Sequence, residues 1–229
     1  MNYQANFKRY ELKYMITYEQ KEMLLKAMEP FMALDSYGRT IIRNIYYDTE
    51  NYRLIRQSIE KPVYKEKLRL RSYRQVSSGD DIFIELKKKF DSIVYKRRIS
   101  LDEETVMKCF NEGEPLPDIT QIGSEIDYFR KYYQSLVPAM FLTYEREAFY
   151  SLDGSDFRIT FDDNILCRRD NISLREAPYG TPLLEPGTVL MEIKTSGSIP
   201  LWMARCLSSQ KIYKSSFSKY GAAYLKTVI

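Results

Sequence analysis

The chain has 229 residues, with 35 Lys and Arg against 31 Asp and Glu, a formal net charge of +4. At 44% hydrophobic and 29% charged residues, its composition is that of a folded globular protein and excludes wholesale disorder. Histidine is absent and Cys109, Cys167 and Cys206 are scattered, which removes Ser-His and Cys-His nucleophilic pairs, zinc sites and a disulfide framework, and fits a reducing compartment.

From the N-terminus, residues 7–14 alternate in period 2 and read as a strand. Thr17 then caps a helix, with Gln20 completing a capping box. Residues 40–48 form a second strand, 50–59 a short helix and 64–75 a long strand. Residues 81–90 and 93–100 form a hairpin around Asp91 and Ser92. Residues 102–112 and 125–136 are expected to be helical, separated by a loop over 113–123, and 131–133 to face solvent. Three more strands fall at 139–149, 157–162 and 189–195, and the residues from Pro200 onward are mostly helical. Trp202 is expected to pack a helix, and Tyr46 and Tyr47 to sit in the sheet wall. The expected fold class is α+β: an eight-stranded antiparallel sheet or closed barrel with helices packed outside, as a single domain over residues 1–229.

No run approaches ~20 consecutive apolar residues, so no spanning helix is expected. The first residues lack the apolar run of a secretory signal, and a cytoplasmic location is expected. A metal in this chain would be held by carboxylates, which suits Mg²⁺ or Mn²⁺.

The chemistry lies in strand parity. Alternate side chains share a face. Glu11 and Lys13 face one way, opposite Leu12 and Tyr14. Lys65, Lys67, Arg69 and Arg71 share a face, as do Glu85, Lys87 and Lys89, then Lys96 and Arg98. Arg158 goes with Asp162, and Glu192 with Lys194. A solvated sheet face accounts for such alternation on any one strand. Strand after strand of like charge is different, because neighbouring cations repel. A polyanion held among them is a reason for the pattern, and a basic barrel lumen would focus the field. Glu11, Glu85, Asp162 and Glu192 supply carboxylates for a divalent ion bridging the same phosphates. No phosphate-cradling glycine loop occurs, so the phosphate site rests on side-chain cations. A net charge of only +4 and no nucleic-acid motif argue against a nucleic-acid partner.

Nine segments, in this order, carry a resemblance: RYELKY (9–14), YYDT (46–49), KLRLRSY (67–73), FIELKKK (83–89), YKRRIS (95–100), YEREAF (144–149), RITFDDNI (158–165), LMEIKT (190–195) and FSKY (217–220). Together they resemble the VTC domain, the polyphosphate-polymerase domain of the vacuolar transporter chaperone complex, within the triphosphate tunnel metalloenzyme superfamily. The resemblance implies an eight-stranded barrel with a basic tunnel. It also implies transfer of the γ-phosphoryl group of ATP to a polyphosphate chain, with Mn²⁺ or Mg²⁺. By motif, Lys13 would hold phosphate, Arg69 and Arg71 would grip the triphosphate, and Lys87 and Lys96 would line the tunnel. Arg146 and Arg158 would continue the basic wall. Glu192 would be the metal ligand, with Lys194 beside it, and Ser218 and Lys219 would close the site. Lys67, Lys89 and Arg98 add phosphate contacts, and Glu11, Glu85 and Asp162 secondary metal contacts. Many tunnel enzymes begin with ExExK; here Arg9 replaces the first acid, which favours the polymerase branch over a triphosphatase. The alternatives are an inorganic or nucleoside triphosphatase and a non-catalytic polyphosphate-binding module. Any coupling to a membrane would come through a partner protein.

Overall fold

The computed structural model describes residues 10–91, 93–118 and 120–229. The expected start of the first strand at 7–9 and the turn residue Ser92 lie outside the described residues. The elements are β1 (Tyr10–Thr17), α1 (Tyr18–Met28), β2 (Met32–Leu34), β3 (Thr40–Thr49), α2 (Arg53–Ile59), β4 (Tyr64–Ser72), β5 (Asp81–Phe90), β6 (Ile93–Asp102), α3 (Glu103–Glu112) and α4 (Gln121–Tyr133). There follow β7 (Leu136–Ser151), β8 (Arg158–Arg168), β9 (Thr181–Pro182), β10 (Thr188–Thr195), α5 (Leu201–Ser209), β11 (Lys214–Ser215) and α6 (Lys219–Thr227).

Local chemistry sets the helix starts. Thr17 accepts from the Gln20 amide at 3.2 Å while the Gln20 side chain accepts from the Thr17 amide at 3.0 Å, the capping box expected for α1. Asp102 caps α3, accepting from the Thr105 amide at 2.8 Å, with Glu103 and Glu104 in the first turn. The helix expected from residue 125 starts at Gln121, because Thr120 caps it by accepting from the Gly123 amide at 3.2 Å. Gly123 reads as a breaker in sequence, yet it sits inside the helix because a Cβ there would lie 2.2 Å from the Asp118 carbonyl oxygen. Lys131 and Tyr132 face solvent as expected, whereas Tyr133 is half-buried. It packs on Phe129 and donates to Glu66 at 3.1 Å. Trp202 packs as expected, stacked on Phe31 at 4.7 Å.

All pairings among the described strands are antiparallel, in the order β11-β1-β10-β8-β7-β3-β4-β5-β6. The eight expected strands are its long members. The short β2, β9 and β11 were not expected; too brief for a period to show, they form by pairing with β7, β8 and β1. The ladder is not closed: β1 and β6 do not pair among the described residues. The sheet nevertheless curls, because Lys87 on β5 reaches Glu11 on β1 at 2.9 Å across the interior.

Apolar residues divide by parity. The outer face of β3 to β6 buries Ile45, Leu68, Leu70, Ile84 and Leu86 against Val106 of α3 and Ile126 and Phe129 of α4. The outer face of β1, β10 and β8 buries Ile159, Phe161, Met191 and Ile193 against Leu24 and Met28 of α1 and Met203 and Leu207 of α5. A third cluster packs Tyr220, Ala223 and Tyr224 of α6 against Ile42, Tyr46, Tyr144 and Leu190, residues on the inner face. Thus α1, α3, α4 and α5 cover the outside, and α6 presents its first turn to the interior. Full burial of such side chains contributes roughly 1.5–3 kcal/mol each.

Candidate functional site

The ladder register brings the charged parity of every long strand to one concave face. Lys13 pairs with Glu192, Glu11 with Lys194, Lys194 with Arg158, and Arg146 with Asp162. On the other half, Lys65 pairs with Lys89, Lys67 with Lys87, Arg69 with Glu85, Lys87 with Lys96 and Glu85 with Arg98. Cations far outnumber Glu11, Glu85, Asp162 and Glu192 on this face.

Two buried carboxylate centres organise it. Glu85, 1% exposed, accepts from Arg69 Nε at 2.7 Å and Arg98 Nε at 2.7 Å, lies 2.7 Å from Lys96 Nζ and 3.7 Å from Arg71. Burial pushes its pKa up, but Arg69, Arg71, Lys96 and Arg98 outweigh that and hold it well below the usual range. Arg69 also donates to the Tyr46 hydroxyl at 2.9 Å, and Arg71 to Asn44 Oδ1 at 2.9 Å and the Tyr144 hydroxyl at 3.1 Å. Both guanidiniums are therefore fixed before any ligand arrives.

The second centre joins Asp162 and Glu192. Arg146 donates to Asp162 through both ends of its fork, at 2.5 and 2.6 Å. Lys219 Nζ lies 2.5 Å from Asp162 and 3.0 Å from Glu192. Lys13 and Lys194 approach Glu192 at 3.5 and 3.6 Å. Burial lowers the Lys219 pKa, but Asp162 and Glu192 outweigh it and raise it. Ser218 caps α6, accepting from the Gly221 amide, and so places Lys219 at the first helical position. Asp48, fully buried, fixes the far side of that helix. It accepts from the Leu54 and Ile55 amides at 2.8 and 3.0 Å and from the Tyr220 hydroxyl at 2.9 Å.

Between and around the centres the cations crowd one another. Lys67 donates to Ser218 Oγ at 3.0 Å. Burial, then Lys87, Lys13, Lys65 and Arg69, push its ammonium down to about 7. Burial, then Arg146, brings Lys194 down to about 8, and burial brings Lys96 to about 8 despite Glu85. Lys13 donates to the Phe217 carbonyl at 2.7 Å, and Lys65 to the Ser58 carbonyl at 3.1 Å. Glu11 shows the converse: burial raises it, but Lys87 and Lys194 bring it down to about 2. Such a field favours a ligand carrying several negative charges.

The register gathers most of the expected site residues. They form four hydrogen-bonded or ion-paired groups on one face: Glu85 with Arg69, Arg71, Lys96 and Arg98, Asp162 and Glu192 with Lys13, Arg146, Lys194 and Lys219, Glu11 with Lys87, and Lys67 with Ser218. Lys89 and Arg158 lie at the edges of that face and make no ion pair among the described residues. Asn44, Tyr46, Tyr144 and Lys65 belong to the site without having been picked out as site residues. Asn44 and Tyr46 show the signal that would have found them: they pair directly with Arg71 and Arg69 across β3 and β4.

Among the described residues, no three Asp, Glu or Cys gather into a metal cluster. Glu85 is fully engaged by Arg and Lys, and Glu11 by Lys87. Asp162 and Glu192 are also engaged, Asp162 by Arg146 and Glu192 by Lys13, Lys194 and Arg146, but they share the Lys219 ammonium, which occupies a cation's place between them. Mg²⁺ and Mn²⁺ take one or two carboxylates when substrate phosphates complete the shell, and this hard-oxygen pair fits that requirement.

A family model described as VTC domain matches residues 8–228. The chain belongs to the VTC-domain family. Subunit 2 of the vacuolar transporter chaperone complex of Saccharomyces cerevisiae is 24% identical to this VTC domain over 166 residues, covering 62% of this chain and 20% of the relative. The chain thus spans about a fifth of that relative's length. Among solved structures, a Bacillus halodurans protein proposed to be an adenylate cyclase superposes with a TM-score of 0.56 at 13% identity, covering 92% of this chain and 95% of its own. A Vibrio parahaemolyticus protein with the same proposed activity gives 0.49 at 13% identity, covering 96% and 98%. The first of these likenesses shows that the VTC domain shares its fold with other proteins.

Proposed function

We propose that this VTC domain is a metal-dependent polyphosphate polymerase that transfers the γ-phosphoryl group of ATP to a growing polyphosphate chain. The observation that carries this reading is the concave face on which Lys13, Lys67, Arg69, Arg71, Lys87, Lys96, Lys194 and Lys219 converge while, among the described residues, Glu11, Glu85, Asp162 and Glu192 offset them. Membership of the VTC family supports a polyphosphate-related function.

The side chains divide the work. Arg69 and Arg71, locked by Glu85, Tyr46, Asn44 and Tyr144, grip phosphate oxygens bidentately. Lys13, Lys67, Lys87, Lys96 and Lys194 act as point charges along the chain, and Lys89, Arg98 and Arg158 extend the path. Arg146 and Lys219 stabilise charge developing on the transferred group. Glu192, with Asp162, would hold a divalent ion, Mn²⁺ or Mg²⁺, which would neutralise phosphate charge. Phosphoryl transfer needs positioning and charge neutralisation more than a base. The attacking terminal phosphate is already anionic, which accounts for a site without histidine. Its oxygen forms the new P–O bond as the bond to the β-phosphate breaks, and ADP leaves.

Residues 1–229 act as one catalytic unit on the cytoplasmic side. The yeast relative is a subunit of a complex, which supports a membrane-protein partner for this chain. Incubation with ATP and Mn²⁺, followed by gel analysis of chain length, tests the reading. Orthophosphate without long chains would move the assignment to a triphosphatase. Tight polyphosphate binding with no product would leave a binding module.

A further inference from the structure

Arg43 lies one residue off the concave parity, on the reverse side of β3 from Asn44. It is 4% exposed, and its Nε has no hydrogen-bond partner among the described residues. No carboxylate pairs with it among the described residues. Burial alone lowers its pKa, with no neighbouring charge opposing the shift. The contrast with the other buried arginines is sharp: Arg71 and Arg146 each have carboxylate partners, and Arg168 donates to the Asn171 and Tyr179 carbonyls. Thr143, directly opposite Arg43 in the β3–β7 register, also buries a hydroxyl without a partner among the described residues.

Arg43 lines a cavity of about 600 Å³ where the start of β3, the end of β4 and the start of β5 meet. Ser72, Thr40 and Gln75 add polar groups, and Arg39 and Arg74 stand at the rim. The rim arginines are already compensated. Arg39 donates to Glu145 and Asp163 at 2.6 and 2.7 Å, and Arg74 pairs with Asp80. Asp81 also lines the cavity, exposed and without an ion pair among the described residues, so the buried uncompensated charge there is that of Arg43, whose guanidinium stays protonated whatever its burial. A buried cation left unpaired is strongly unfavourable. Planar N–H donors without a partner beside a polar cavity match a tetrahedral oxyanion.

We propose that this cavity is a phosphate-class oxyanion site, built on Arg43 and separate from the Asp162–Glu192 centre. It stands back to back with the concave site: Arg43 pairs with Ser72 where Asn44 pairs with Arg71. The anion is either free orthophosphate or the end of a condensed phosphate chain. The proposal does not depend on the polymerase reading, since an inert domain would bind the same ion.

Orthophosphate and tripolyphosphate are titrated separately by calorimetry, at low ionic strength, into the full chain and into its Arg43→Gln and Arg43→Lys variants. The expected result is one fewer bound anion per chain in Arg43→Gln, with the site weakened but retained in Arg43→Lys. Loss of an orthophosphate site identifies the free ion as ligand, and loss seen with tripolyphosphate alone identifies a chain end. Arg43→Gln should melt no lower than wild type in phosphate-free buffer, because the charge it removes has no partner to lose. Crystals of the wild-type chain grown with tungstate, read by anomalous scattering, should place the ion on the Arg43 guanidinium. Unchanged stoichiometry in a folded Arg43→Gln overturns the proposal. So does a bare Arg43 at tungstate concentrations that fill the concave face, and this second reading decides the matter if the variants fail to fold.

Discussion

Glu85→Gln removes one charge from the middle of four cations while keeping the side chain's shape. Breaking a buried ion cluster by deleting one partner costs about 3–5 kcal/mol. Lys96 and Arg98 retain side-chain exposures of 43% and 32%, so water screens part of the loss. The expected cost is therefore at the low end, about 3 kcal/mol. For a chain of this size that is a fall in Tm of roughly 6–12 °C. The pH dependence follows from the direction of the shift. The folded pKa lies well below the ordinary value of 4.5, so the stabilisation is complete above that value and is lost as pH falls through the folded pKa. Thermal unfolding from pH 7 downward should show the gap between wild type and variant constant at first and closing only in acid. Tripolyphosphate should stabilise the variant more than the wild type, because Arg69, Lys96 and Arg98 are left uncompensated. A Tm within about 2 °C of wild type at pH 7 would refute the assignment of Glu85 as the anchor of the guanidinium cluster.

Lys67, with its ammonium down at about 7, should give two opposite trends. Between pH 7 and its ordinary value of 10.5 the unfolded chain holds the proton that the folded one has lost, so the ligand-free domain gains stability as pH rises. Polyphosphate affinity falls over the same rise, and Lys67→Arg should flatten both curves in urea melts and binding titrations. Asp48→Ala strips partners from two buried amides and the Tyr220 hydroxyl, and should cost about 3 kcal/mol or more by urea denaturation. Lys219→Met should lower turnover by about 10²-fold, with the fold intact by circular dichroism. Removing divalent metal with a chelator should stop chain growth but leave salt-sensitive polyphosphate binding in place.

The eight long strands were legible because each carries a period-2 pattern, and the parity that makes Leu68 and Leu70 core makes Lys67, Arg69 and Arg71 concave. Parity alone does not say which strands meet. That Lys87 reaches Glu11, or that Lys219 joins Asp162 and Glu192, depends on ladder order and on α6 entering from one end. Asp48 illustrates the same limit: it reads as a polar strand terminus, and only the packing of α2 and α6 turns it into the support of the Lys219 helix. The start of α4 was missed because Gly123 signals a break in sequence, while Asp118 demands a residue without Cβ. Arg43 was passed over because its parity assigns it to the apolar side, where an arginine without a partner stands out only once its neighbours are known.

Incubation of the purified chain with ATP and Mn²⁺, resolving products by chain length and counting ADP, tests the central claim most directly. The account predicts long polyphosphate with one ADP per phosphate added, and loss of that product in Arg69→Ala and Glu192→Ala. Orthophosphate as the sole product, or chain growth unaffected by both substitutions, would contradict it.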